Sequence, residues 1–318
     1  MGATEQTIFE QFPYWRRAAA QPLEPLPEAD LTVFVGCGSS YNLAMSLAAS
    51  ANAAGRQAIA VPGDEWTNRR VNYWSGTGTV QVVAISRSGE TTETVAAAKA
   101  SRAAGIPVIG ITVETGSALA ASSDRVVAAA TDPREGIVMT TSASLMLQLG
   151  LQLLGHTVPD AAIVTAEAML KAVDAVVPGK LGGHSHFVYL GGGAQYGVGV
   201  EGALKLMEMS QAMTQAFHPL EYRHGPISLV DEQTVAVLLH SADGLAAELK
   251  VAGELHAKGA LVISLGGPGD LGFPVDVPPA LRPLVYLPAL QVLGERVAQQ
   301  KGLDTAAPRH LTKVVVLA

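Results

Sequence analysis

Val33–Tyr41 reads VFVGCGSSY, and Val188–Tyr196 reads VYLGGGAQY, 155 residues further on. Each is an apolar, β-branched run that breaks into a glycine-rich turn, the form of a buried strand opening into a tight bend. A second pair keeps the spacing: TVQVVAISRSGETTE at Thr79–Glu93 returns as TVAVLLHSADGLAAE at Thr234–Glu248. DEW at 64–66 answers LEY at 220–222, offset by 156. Three anchors in one order at nearly one spacing make the chain two copies of one fold.

Within each copy, short apolar runs lead through Gly- or Ser-rich turns into Ala-rich helical stretches, as in LTVFVGCGSSYNLAMSLAASANAAG and VQVVAISRSGETTETVAAAKASRAAG. Strands alternating with helices predict an α/β fold: in each copy a parallel sheet flanked by helices. In such sheets ligands bind beyond the carboxyl ends of the strands, where these turns lie. The turns differ between copies. SRSGETTET in the first becomes SADGLAAEL in the second, which predicts one live ligand loop and one degenerate loop. A pseudo-two-fold pair follows, with the site expected between halves or between subunits. The expected divisions are an N-terminal helical segment at 1–30, domains at 31–160 and 161–290, and a C-terminal helix and tail at 291–318.

Composition narrows the function. Of 318 residues 48% are hydrophobic and only 15% charged, so much of the chain must be buried or covered by a partner subunit. A net charge of -7 without any Lys/Arg run argues against nucleic acid and anionic lipid. No apolar run reaches membrane-spanning length, and the N-terminus lacks the apolar core of a secretory signal. The single cysteine, Cys37, fits a reducing cytoplasm, the expected location. In its tight turn it reads as a small filler rather than a reactive thiol.

In AISRSGETTETVAAAKA (Ala84–Ala100), Ser86, Ser88 and Thr91 offer hydroxyl donors and Gly89 admits close backbone approach. A helix then begins, and its amino end suits a sugar-phosphate dianion. Arg87 either adds a charged fork or points to solvent. The competing reading is a plain strand-to-helix turn with Ser88 as N-cap and Thr91 in support. Ser39 and Ser40, in GCGSSYN upstream, repeat the same chemistry, and two hydroxyl-rich turns at one sheet edge favour binding. A dinucleotide is disfavoured, since neither turn matches G-x-G-x-x-G.

EGALKLMEMSQAM (Glu201–Met213) reads as a helix with Glu201, Lys205 and Glu208 on one face. That face is either a solvated stripe, its Glu201–Lys205 pair worth about 0.2–0.5 kcal/mol, or it looks into a site. The apolar remainder of the helix favours partial burial of Glu208 and a raised pKa suited to a general base. Lys205 would oppose that shift or stabilise an enediolate oxygen. His224 precedes Gly225 and Pro226 in a turn, as a solvent-exposed loop histidine or a functional one; His218 is a weaker second candidate. Lys313, entering the run Val314–Leu317, reads as a strand-edge charge or as an amine desolvated for Schiff-base chemistry. No His/Cys/Asp/Glu spacing matches a metal site, and proton transfer by Glu and His calls for no metal or cofactor.

Together GCGSSYN, SRSGETTET, EGALKLMEMS, EYRHGPISL and LQVLGERVAQQKGLDTAAPRHLTKVVV resemble the sugar isomerase (SIS) family. The likeness runs from about Thr7 to the C-terminus and is nearest to the isomerase half of glucosamine-6-phosphate synthase; the glutamine-hydrolysing half has no counterpart here. It implies two tandem flavodoxin-like SIS domains. It places Ser39 and Ser40 at the sugar-phosphate site and Ser86, Ser88 and Thr91 in the phosphate loop, with Arg87 where the synthase usually has glutamine. It makes Glu208 the carrier of the proton between C1 and C2 and puts Lys205 near the reacting end of the sugar. It links His224 to ring opening, from the neighbouring subunit of a homodimer with a shared active site. It makes Lys313, on a tail returning to the active site, the lysine that forms a Schiff base with the ketose. Thr141 matches loosely, in GIVMTTSAS, where the family's STK lysine is missing. The implied ligand is a phosphorylated hexose or amino sugar. The implied activity is that of an amino-sugar-phosphate isomerase/deaminase taking glucosamine 6-phosphate to fructose 6-phosphate and ammonia. Alternatives are a fructosamine-6-phosphate deglycase, an isomerase of another hexose phosphate, or a non-catalytic sugar-phosphate-sensing module.

Overall fold

A computed structural model describes residues 1–315. The chain begins with helices α1 (Ala3–Phe9) and α2 (Phe12–Ala19). It forms two compact units: residues 13–158 with the tail from Thr312, and residues 1–12 with 159–311.

The first unit continues through β1 (Leu31–Gly36), α3 (Ser39–Ala53), β2 (Ala58–Pro62), α4 (Gly63–Asn68), β3 (Val80–Ile85), α5 (Thr92–Ala103), β4 (Val108–Thr112), α6 (Ala118–Ala121), β5 (Arg125–Ala128) and α7 (Thr141–Leu153). Its five strands are all parallel, in the order β2-β1-β3-β4-β5. Every residue of β3 and β4 is buried, which is why these strands are continuous apolar runs rather than alternating ones. Val33, Val35, Val82, Ala84 and Val108 pack with Trp66 on one side of the sheet.

The second unit holds α8 (Asp160–Val176), β6 (His186–Gly191), α9 (Ala194–Ser210), β7 (Met213–Phe217), β8 (Thr234–Leu239), α10 (Leu245–His256), β9 (Leu261–Leu265), β10 (Leu271–Phe273) and α11 (Arg282–Gln300). Its parallel sheet runs β7-β6-β8-β9-β10, the same order as the first. Arg296 on α11 bonds Glu5 of α1 at 2.6 Å and Asp174 of α8 at 2.5 Å, which ties the N-terminal helix into this unit.

The strand order reverses between β1 and β3 and again between β6 and β8, so each sheet has one crevice at its carboxyl edge. The turns there match in detail. Gly38 has φ 55°, ψ -128° and Gly193 has φ 56°, ψ -129°, a conformation nearly closed to other residues. A Cβ on Gly36 would lie 2.6 Å from the Ser40 carbonyl carbon, and one on Gly191 2.6 Å from the Gln195 oxygen. The DEW and LEY anchors also correspond: Trp66 and Tyr222 are both fully buried, each beyond the second strand of its sheet.

Two expectations change. The helix expected over 201–213 ends at Ser210, because Gln211 turns left-handed at φ 54° and β7 starts at Met213. The Ser210 hydroxyl assists the stop, donating to Leu206 O at 2.6 Å and accepting the Ala212 N–H at 3.3 Å. Lys313 and Val314 lie in no strand; the rest of the Val314–Leu317 run, from residue 316, is outside the described residues. Among the described residues no helix is long and apolar enough to cross a membrane, and no group of three or more His, Cys, Asp or Glu is placed to hold a metal ion.

Candidate functional site

In the first unit both turns of the crevice are hydroxyl-rich. Ser39 and Ser40 open α3 and are buried. Burial pushes the Cys37 thiol up in pKa, and the Thr94 hydroxyl donates to its sulfur at 3.6 Å; it fills the turn as a protonated thiol. Beyond β3, the Ser86 hydroxyl accepts the Gly89 N–H at 3.1 Å and donates to Thr91 at 3.3 Å, while the Ser88 hydroxyl accepts the Glu90 N–H at 3.2 Å. Gly89, at φ 65°, has no room for a side chain: a Cβ would fall 2.0 Å from the Ser117 hydroxyl. Helix α5 starts only at Thr92, with Thr91 at the cap position and no side-chain capping bond. Ser88 is therefore not the N-cap. The loop closes on itself before the helix begins, so its hydroxyls are not spent on ending the helix.

Arg87 points neither to solvent nor along its own loop. It is 8% exposed, and its guanidinium donates to Gly136 O at 3.0 Å, to the Glu135 carboxylate at 3.4 Å and to Lys313 O at 2.8 Å. The Lys313 ammonium donates to Glu135 O at 3.0 Å. Thus the C-terminal tail reaches the β3 loop. Glu135 is a residue that the sequence reading missed. It is 4% exposed, and its carboxylate accepts the Ser142 N–H at 2.8 Å, the Ser142 hydroxyl, and the Thr131 and Thr140 hydroxyls at 3.4 Å each. It serves the amino end of α7 from seven residues away, outside any capping spacing a sequence would show. Thr141, the first residue of α7, is wholly enclosed.

In the second unit α9 decides the question its sequence raises. Glu201 is 0% and Lys205 1% exposed, and the Lys205 ammonium lies 3.6 Å from Glu201 and 2.5 Å from Glu208. The face looks inward, and the pair is not a surface pair. Glu208 is the accessible member, at 20%. One buried cation serves two carboxylates, and of the two only Glu208 is partly open to solvent. His224 ends a short 3-10 turn and is exposed, ahead of Gly225 at φ 126°. His218 stacks on Tyr196 with ring centroids 4.1 Å apart.

The corresponding loop of the second copy is built differently. The Ser241 hydroxyl accepts the Gly244 N–H at 2.9 Å, as Ser86 does from Gly89. However, Glu248 fills the space beside it. The buried carboxylate accepts the Ser241 N–H at 2.9 Å and hydroxyl at 2.7 Å, and lies 3.1 Å from His240 Nδ1. In the first copy the Ser86 N–H instead pairs with Ile111 O at 3.0 Å. Glu248→Ala is expected to lower stability by about 1–3 kcal/mol, since it strands buried donors. It should leave sugar-phosphate binding unchanged. Urea denaturation measures the first effect, and a variant as stable as the wild type would remove Glu248 from this role.

Comparison with known proteins agrees with the geometry. The SIS domain model matches residues 26–154 and 181–268. The chain is similar to glutamine–fructose-6-phosphate aminotransferase (isomerizing) of Pyrobaculum aerophilum, 33% identical, covering 74% of this chain and 43% of the relative. The Pyrococcus horikoshii protein of the same name is 28% identical, covering 95% of this chain and 54% of that one. The chain thus spans about half the length of these curated relatives. Among solved structures, a glucosamine-6-phosphate deaminase from Thermotoga maritima superposes with a TM-score of 0.87 at 29% identity, covering 99% of this chain and 100% of that one. The Escherichia coli tagatose-6-phosphate ketose/aldose isomerase shares the fold, with a TM-score of 0.77 at 23% identity over 94% of this chain and 93% of the other. With two matched segments, two sheets of identical strand order and turns that repeat to within a degree or two, the chain belongs to the SIS domain family.

Proposed function

We propose that this protein is a phosphosugar isomerase that works as a deaminase, converting glucosamine 6-phosphate to fructose 6-phosphate and ammonia. The observation that carries the reading is the α9 cluster, in which a partly exposed carboxylate, Glu208, is held by a buried ammonium, Lys205. The full-length likeness to the Thermotoga maritima deaminase supports the choice of substrate.

The roles follow from the chemistry. Ser39, Ser40, Ser86, Ser88, Thr91 and the loop amides receive the phosphate dianion. His224 assists ring opening. Glu208 takes the proton from C2 of the open aldehyde and returns it at C1, while O1 gains the proton that the amine nitrogen gives up, so the 2-amine becomes a 2-imine and C1 an alcohol; Lys205 steadies O1 while it carries charge. Water adds to the imine carbon and ammonia leaves. The amine of Lys313 offers a second route: it displaces ammonia as a Schiff base, which water then hydrolyses. His224 is exposed, and Leu220 and Leu229 on the same segment are 48% and 56% exposed. A second copy that covers this segment and receives His224 makes the active unit a homodimer.

The test is ammonia and fructose 6-phosphate release from the purified protein supplied with glucosamine 6-phosphate. Equal amounts of both are expected. If neither appears while fructose 6-phosphate still raises the Tm, the substrate assignment is wrong and the phosphate loop is right.

A further inference from the structure

We propose that Arg87 is a positioning residue: through the backbone of the C-terminal tail it sets where the Lys313 amine stands, so that the loop receiving the phosphate also holds the lysine of the reaction. The inference rests on the function proposed above.

Arg87 lies between two hydroxyls of the phosphate loop, yet its bonds lead away from that loop. They form a closed ring of three residues. Arg87 donates to Lys313 O at 2.8 Å, the Lys313 ammonium donates to Glu135 O at 3.0 Å, and the Glu135 carboxylate accepts from Arg87 at 3.4 Å. Glu135 is the fixed post of this ring, because its carboxylate also accepts the Ser142 N–H and the Ser142, Thr140 and Thr131 hydroxyls. Arg87 and Lys313 are 226 positions apart, so their contact ties two remote parts of the chain.

The division of labour within the ring matters. Arg87 grips the backbone of Lys313 and leaves its side chain as the moving part. An ammonium bonded to a carbonyl oxygen is not a nucleophile; Lys313 must shed a proton and leave Glu135 O before its nitrogen can attack a carbon. With the backbone held, that departure is a side-chain rotation about a fixed point rather than a search by a free tail, and little ordering entropy is left to lose. The planar fork of arginine reaches Gly136 O, the carboxylate and Lys313 O together. A glutamine has neither the reach nor the donors, and a lysine offers charge without the fork.

Arg87→Gln and Arg87→Lys test this by three measurements. The first is tryptic cleavage of the Lys313–Val314 bond in the ligand-free protein, followed by mass spectrometry. The second is kcat and KM with glucosamine 6-phosphate. The third is cyanoborohydride trapping of fructose 6-phosphate on Lys313. In Arg87→Gln, cleavage should be faster by about tenfold or more, as proteolysis follows the population of the open form. Arg87 belongs to a buried pair with Glu135, so both variants lose stability; measured well below each variant's Tm, trapping and kcat should fall together by more than KM changes. Arg87→Lys should be intermediate. A tail cleaved at the wild-type rate in Arg87→Gln, or a wild-type kcat with a freed tail, overturns the proposal. If the wild type shows no turnover but the tail is released in Arg87→Gln, the tether stands and the deaminase reading fails.

Discussion

Replacing Glu208 by glutamine is expected to abolish deamination while leaving the fold and phosphate binding in place. The argument is geometric. Glu208 is one-fifth exposed, on a helix otherwise packed against its unit, and its carboxylate accepts from Lys205 at 2.5 Å. Glutamine keeps the length and an acceptor oxygen for Lys205, so packing survives. It cannot carry a proton from one carbon to the next. General base catalysis typically contributes 10²–10⁴-fold, so a fall in kcat of about a thousandfold or more is expected, along with loss of solvent deuterium incorporation into the sugar. Fructose 6-phosphate should still raise the Tm of the variant, because the change leaves untouched the residues proposed to bind the phosphate. A Glu208→Gln protein that turns over at the wild-type rate would remove Glu208 from the mechanism, and with it the observation on which the proposed function stands.

The architecture was readable because the repeat is literal. β1 and β6 begin 155 residues apart, and so do β2 and β7; two glycines with matching dihedrals pin the turns between. Backbone demands of this kind leave a mark in sequence, since only glycine meets them. The inward face of α9 was readable in part: the spacing of Glu201, Lys205 and Glu208 fixes a common face, but burial had to come from the structure. Side-chain pairings between remote segments left no such mark. Nothing in SRSGETTET says that Arg87 turns toward a carbonyl 226 positions away, or that Glu135 serves α7 from outside the helix. The role of Glu248 was hidden for the same reason. The loss of serine and threonine from the second loop was visible, whereas the carboxylate that fills the space depends on tertiary packing.

Lys205→Met is expected to be among the most destabilising single changes in the second unit, at about 3–5 kcal/mol, the usual cost of removing one partner from a buried ion pair. Lys205 is 1% exposed and lies between two carboxylates, of which Glu201 is 0% exposed and Glu208 20%. Their reliance on the ammonium is unequal. Water can reach Glu208 and replace part of what Lys205 supplies; Glu201 has no such recourse, and its charge loses the cation that offsets it. The double variant Lys205→Met/Glu201→Gln should therefore regain most of the lost stability, and Lys205→Met/Glu208→Gln much less, with a coupling energy for the Glu201 cycle above the experimental error of about 0.5 kcal/mol. Urea unfolding with unchanged m-values measures all of these. The rescued double variant also separates structure from chemistry: if Lys205 steadies the enediolate oxygen, a stable Lys205→Met/Glu201→Gln protein remains inactive. A Lys205→Met variant as stable as the wild type would show that the α9 cluster is not held by this ammonium, and the partial exposure of Glu208 would then need another cause.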